Sequence, residues 1–208
     1  MRLYLASVDL GPDATRVLEI VEASTRVAVV MNAWDGDPGS RSQEASQLVA
    51  QFARLGLDAS ELDLRDHFGD LTDENLRRRL DGVGLVFAHG GNTFVLRRAM
   101  RSSGCDHLIR ELVGADRIAY GGESAGAIVA GPTLRGLELG DDASIVPSGY
   151  RRAVEWSGLG LVDWVPLPHA DTEWWAPKAR LVCSALAERG VASRLLGDDD
   201  VVVVRNAR

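Results

Sequence analysis

The chain has 208 residues, 46% of them hydrophobic, which suits one sizeable core rather than several domains. Its net charge of -7 argues against a nucleic-acid or anionic-membrane partner. No run of about 18 apolar residues occurs, so no membrane span is expected, and the two distant cysteines, Cys105 and Cys183, lack metal-type spacing and read as buried thiols in helices.

Met1 to Asp9 turns polar too soon for a signal peptide, and Leu3 to Ala6 reads as a first strand. The cytoplasm is therefore the expected compartment. A helix is expected over Ala14 to Ala23, with Val17, Leu18 and Val21 on one side. Arg26 to Met31 is a continuous β-branched run, as in a strand buried on both faces of a parallel sheet. The Gly/Pro-rich loop Asn32 to Ser42 follows at its C-terminal end. Ala45, Leu48, Val49, Phe52 and Leu55 recur at helical spacing over Gln43 to Leu55, and Gly56 stops the helix. Leu62 and Leu64 suggest a short strand, and Thr72 or Asp73 would cap a helix running to Leu80.

Val83 to Ala88 is a second buried strand, running into His89-Gly90-Gly91-Asn92-Thr93. Helices follow from Phe94 to Arg101 and around Leu108, Ile109, Leu112 and Val113. Arg117 to Tyr120 then leads through Gly121-Gly122-Glu123-Ser124-Ala125-Gly126 into a small-residue run, a strand, tight turn and helix. Pro132 to Tyr150 is irregular and acidic. Alternating apolar residues over Gly158 to Pro168 suggest a strand leading to His169. The last helix spans Glu173 to Arg189, with Trp175, Ala179, Val182, Cys183 and Leu186 inward. Arg194 to Leu196 and Val201 to Val204 read as a closing pair of strands, with Asp198-Asp199-Asp200 as the turn between them rather than a metal site. The alternation predicts a single α/β domain over 1–208, a three-layer sandwich with a mostly parallel sheet and helices on both faces. In such sheets ligands bind at the C-terminal strand ends.

The pattern Gly122-x-Ser124-x-Gly126 is that of a nucleophile elbow. Small residues two positions either side of the serine let strand and helix approach closely. The Ala125 N–H would then face a developing oxyanion at a helix start. Gly90-Gly91-Asn92 opens a helix on a neighbouring strand end, so Gly91 is a candidate second donor, and Gly90, Asn92 and Glu123 are candidate substrate contacts. A serine nucleophile needs a base, and the base an orienting acid. Of His67, His89, His107 and His169, the last, at a strand end downstream of the serine, is the first candidate, and His89 the second. Glu138, Asp141 and Asp142 lie between serine and histidine, and any could be the acid.

Gly90-Gly91-Asn92-Thr93-Phe94, Gly122 to Ala127, Gly131-Pro132-Thr133, and Gly158 to Asp163 leading to Pro168-His169 together resemble the peptidase E family. These are serine exopeptidases typified by aspartyl dipeptidases, with a class I glutamine amidotransferase-like fold. The resemblance covers nearly the whole chain. It implies Ser124 as nucleophile, His169 as general base, and the Gly91 and Ala125 N–H groups as oxyanion donors. The family's acid position falls near Leu139, which cannot serve, and neighbouring Glu138 is taken in its place, with Asp141 and Asp142 as alternatives. Arg135, Arg151 and Arg152 are candidates for binding a substrate side-chain carboxylate.

The expected activity is removal of one N-terminal residue from a short peptide such as Asp-Xaa, without metal or cofactor, by a monomer or homodimer. Two other classes compete: an esterase-type serine hydrolase, suggested by His89-Gly90-Gly91 but with a short serine-to-histidine spacing, and a non-catalytic amidotransferase-like binding domain.

Overall fold

The apolar runs become neighbouring strands of one twisted sheet. In chain order the strands are β1 (Arg2–Ala6), β2 (Arg26–Val30), β3 (Asp58–Glu61), β4 (Leu85–Ala88), β5 (Ala119–Glu123), β6 (Trp164–Leu167), β7 (Ala192–Leu195) and β8 (Val201–Arg205). The computed structural model describes residues 1–22, 24–69 and 74–205. Six strands form the main sheet in the order β3-β2-β4-β5-β1-β8, parallel except for β8, which runs antiparallel to β1. β6 and β7 form a separate parallel pair.

Strand side chains alternate between two cores, as the two-residue period of a strand requires. Leu3, Leu5, Val86, Ala88 and Tyr120 face one core, and Tyr4, Ala6, Val27, Val29, Leu85 and Phe87 the other. The second is closed by α1 (Pro38–Arg54) through Leu48 and Phe52, and by the 3-10 turn Ala14–Glu19 through Val17. The first is covered by α2 (Glu74–Leu80), α3 (Thr93–Ser102), α4 (Cys105–Gly114), α5 (Ala125–Ile128) and α6 (Ala176–Glu188). Helices thus lie on both faces, and one face carries most of them.

The structure revises several boundaries. The first helix is only a 3-10 turn capped by Asp13, and Leu18 is exposed. Pro38 sits at the first position of α1, where its fixed φ suits a helix start, so the preceding loop is shorter than its composition suggests. Leu62 and Leu64 follow β3 rather than forming it, although both are buried. The cap expected at Thr72 or Asp73 lies outside the described residues. Only Trp164–Leu167 of the run towards His169 is strand. β7 and β8 do not pair with each other: β7 joins β6, and β8 joins β1. Both cysteines are free; Cys105 is buried, its thiol pushed up to about 12 by burial, whereas Cys183 is half-buried.

The irregular segment between α5 and β6 owes its shape to arginines on α3 and α4. Arg98 is buried and donates to the carbonyls of Ala143, Ile145, Arg152 and Ala153. Arg97 donates to Ser157 O and Asp106, and Arg110 to Gly158 O and Leu159 O. Carbonyls that an irregular loop turns inward must find partners, and three guanidinium groups supply them here. Among the described residues no helix is long and apolar enough to cross a membrane.

Candidate active site

Ser124 stands between β5 and α5 at φ 50° and ψ -114°, outside the regions ordinary L-residues prefer. The flanking glycines make this turn possible. A Cβ on Gly122 would lie 2.4 Å from the Gly126 carbonyl, and one on Gly126 would lie 2.0 Å from Ala88 O. The Ser124 N–H donates to Ala6 O at 3.2 Å, which fixes the elbow to the C-terminal end of β1. The N–H groups of Ala125 and Gly91 have no hydrogen-bond partner among the described residues. Both belong to turns at adjoining strand ends, Gly91 at φ 123°.

His169 follows β6, also at positive φ (57°). Its N–H donates to the buried Ser7 Oγ at 2.8 Å, and Thr172 Oγ1 donates to its carbonyl at 2.9 Å. Its Nε2 lies 3.0 Å from Ser124 Oγ, and its Nδ1 lies 2.9 Å from Asp198 Oδ1. With Nδ1–H donating to the carboxylate, Nε2 presents a lone pair to the serine hydroxyl. The fold therefore joins the serine and histidine singled out in the sequence. The arrangement can take a proton from the hydroxyl and hold the resulting imidazolium beside a carboxylate.

The carboxylate is a correction. Glu138, expected as the acid, lies in the 3-10 turn Leu137–Leu139 and accepts from Gly136 N at 2.6 Å. Asp142 accepts from Ser144 N and Oγ, and Asp141 from Thr93 N at 2.6 Å and Asn92 Nδ2 at 2.9 Å. Among the described residues Asp198 is the carboxylate within ion-pair distance of His169. It follows the histidine in the chain instead of preceding it. The β6–β7 register explains how it arrives. Leu167 pairs with Leu195, the Leu196 N–H donates to Leu167 O, and the Ala170 N–H donates to Leu196 O, each bond 2.9 Å. The two chains continue side by side, and Asp198 comes to the ring. Its N–H donates to Asp171 Oδ1 at 2.9 Å, and the Ser7 N–H donates to Asp200 O at 3.1 Å. The triple-aspartate turn is a turn, as its composition implies, but one that bridges the two sheets.

The three expected substrate contacts are occupied elsewhere. Glu123 is buried beneath the glycine turn, where Gly90 N–H and His89 Nδ1–H donate to its Oε1, the latter at 2.9 Å. Gly90 has thereby spent its donor. Asn92 caps α3, its Oδ1 accepting from Val95 N and its Nδ2 donating to Asp141 and Asp142. Burial lowers the His89 pKa, but the Glu123 hydrogen bond and charge outweigh it and the net direction is up. His107 lies on α4 and His67 in the turn Leu64–His67.

A cavity of about 220 Å³ opens beside the pair, lined by Gly91, Ser124, Asp141, His169, Trp174 and Lys178 among others. Burial pushes the Asp141 carboxyl above its ordinary value. Arg135, Arg151 and Arg152, the cations read from the sequence, are not among its walls; Arg135 stacks on Trp156. The cation present is Lys178 on α6, the sole lysine of the sequence. A larger hollow of about 610 Å³ lies at the opposite strand ends, between residues such as Arg2, Gly84 and Ile118. It holds no serine–histidine pair, and two of the cations that line it are paired locally, Arg2 with Asp116 and Arg77 with Glu111. The smaller cavity is the one next to reactive groups. Among the described residues no group of three or more His, Cys, Asp or Glu could hold a metal ion.

The sequence profile of Peptidase family S51 matches residues 39–206. An uncharacterized peptidase of Listeria innocua is 33% identical over 116 residues, which are 56% of this chain and 51% of that protein. One from Listeria monocytogenes is 34% identical over 119 residues, 55% of this chain and 52% of that protein. The matched stretch thus spans about half the length of these relatives. Among solved structures, a candidate peptidase E of Listeria monocytogenes superposes with a TM-score of 0.75 at 22% identity, covering 99% of this chain and 98% of that one. A peptidase from an acI-B1 Actinobacterium gives 0.64 at 18% identity, covering 98% and 83%. These two likenesses establish that the chain shares their fold.

Proposed function

The chain belongs to peptidase family S51, and from that premise we propose that it is a serine exopeptidase acting on short peptides. Ser124 Oγ attacks the scissile carbonyl while His169 Nε2 takes its proton, then returns it to the departing amine. Asp198 holds the imidazole in the required tautomer. Gly91 and Ala125 N–H groups receive the oxyanion, and water releases the acyl-enzyme. The observation that carries this reading is the continuous contact from Ser124 Oγ through the His169 ring to Asp198, 3.0 and 2.9 Å. The small cavity supports a short substrate, since pockets for drug-sized ligands run to about 300–1,000 Å³. Asp-Xaa dipeptides are the first substrates to try, because family resemblance favours them.

Ser124→Ala is expected to lower kcat on such peptides by roughly 10⁴-fold or more, with the melting temperature almost unchanged. The wild-type protein, but not this variant, is expected to take up a fluorophosphonate probe. Turnover that survives in Ser124→Ala overturns the assignment. Absence of both labelling and peptide turnover in the wild type overturns the enzyme reading.

A further inference from the structure

The peptidase reading fixes one direction in the cavity, and this inference rests on it. Proton return occurs at His169 Nε2, so the leaving residue must lie on the side of the cleft that His169 and its packing partners occupy. Those partners form a line. The Trp174 ring is 5.2 Å from the His169 ring, the Trp175 ring 5.7 Å from that of Trp174, and Lys178 Nζ 5.5 Å from the Trp175 ring. All line the cavity with Ser124.

Trp174 is 63% exposed, although it borders the cleft that holds Ser124 and His169. An indole left in water beside a cleft gains by being covered. Besides the Trp175 ring, Lys178 reaches the Gly140 carbonyl, at 3.5 Å, and among the described residues no carboxylate lies within ion-pair distance of it. Asp141, the acid nearest in the cavity wall, already accepts from Thr93 N, Asn92 Nδ2 and Asp142 N. The cavity therefore offers, on its leaving-group side, an uncovered aromatic ring and an unspent cation.

We infer that the preferred substrates are dipeptides whose C-terminal residue has a large apolar side chain, laid on Trp174, and a free α-carboxylate, held by Lys178. A dipeptide places that carboxylate on the leaving residue itself, whereas a longer peptide moves it away. Lys178 is then a specificity-determining residue that reads chain length.

The test is calorimetric binding of Asp-Phe, its C-terminal amide and Asp-Ala to protein carrying Ser124→Ala, alongside hydrolysis of the same three by the wild type. Asp-Phe is expected to bind about five- to tenfold more tightly than its amide. That preference should vanish with Lys178→Met and return with Lys178→Arg, while the preference for Asp-Phe over Asp-Ala should fall with Trp174→Ala. Equal binding of acid and amide, a preference that persists in Lys178→Met, or no binding of any of the three overturns the inference. The binding preference without wild-type hydrolysis refutes the peptidase reading and leaves the ligand class standing; hydrolysis without the preference refutes this inference alone.

Discussion

Ser124 and His169 meet at the cavity as two non-glycine residues held at positive φ. Each such conformation costs about 1–3 kcal/mol and persists only where surrounding contacts impose it. For Ser124 the impositions are its N–H bond to Ala6 O and the close approach of Gly122 to Gly126. Its φ and ψ are the mirror image of an extended conformation, a region glycine enters freely. Relief of strain should therefore exceed the entropy that glycine adds to the unfolded chain, about 0.4–1 kcal/mol. Ser124→Gly is expected to be more stable than Ser124→Ala by about 1 kcal/mol in denaturant unfolding. A glycine variant less stable than the alanine variant would contradict the strain.

At the same scale, Asp198→Asn is expected to lower kcat by roughly 10²–10⁴-fold, because an amide no longer enforces the Nδ1–H tautomer. Glu138→Gln, which touches only its own turn, should leave kcat unchanged. The reverse pattern of kcat values would return the acid to the position read from the sequence. Ser124 was legible because an elbow is local: five adjacent residues carry it. His169 was legible from a strand-end context. Asp198 was not, because no local pattern reveals that β7 pairs with β6 rather than with β8.

The elements repeat that division. β2 and β4 could be read because burial on both faces demands uninterrupted apolar residues, and α1 because Leu48 and Phe52 recur at helical spacing. The start of α1 was obscured by Pro38-Gly39, which composition assigns to a loop although proline is welcome at a first helical position. The segment between α5 and β6 was the least legible, since its order comes from α3 and α4. Arg98 donates to four of its carbonyls from a buried position. Arg98→Leu strands those acceptors and is expected to cost at least about 3 kcal/mol of stability in denaturant unfolding. Trypsin should then cut within 143–157 before the rest of the chain; a loss below about 1 kcal/mol, with no change in the cutting pattern, would mean that the segment holds itself.

For the molecule as a whole, the buried His89–Glu123 pair links stability to pH. The folded chain holds the His89 proton more tightly than the unfolded chain does, so the pair's contribution is complete below the unfolded histidine value of about 6.5. It is lost as pH rises through the higher folded value. The melting-temperature gap between wild type and His89→Gln is expected to be widest below about pH 6 and to narrow as pH rises. A gap that widens with pH would contradict the assigned proton.

The two sheets divide the reacting groups unequally. His169, Asp171 and Asp198 travel with the two-stranded sheet, while Ser124 is anchored to the six-stranded one, and Ser7 stitches the seam through its Oγ to His169 and its N–H to Asp200. A displacement of the smaller sheet would carry imidazole and carboxylate as one passenger and would stretch the gap to the hydroxyl together with the two Ser7 bonds. On the proposed function, warming should thus idle peptide turnover reversibly, by parting Oγ from Nε2, at temperatures where circular dichroism still reports a folded chain.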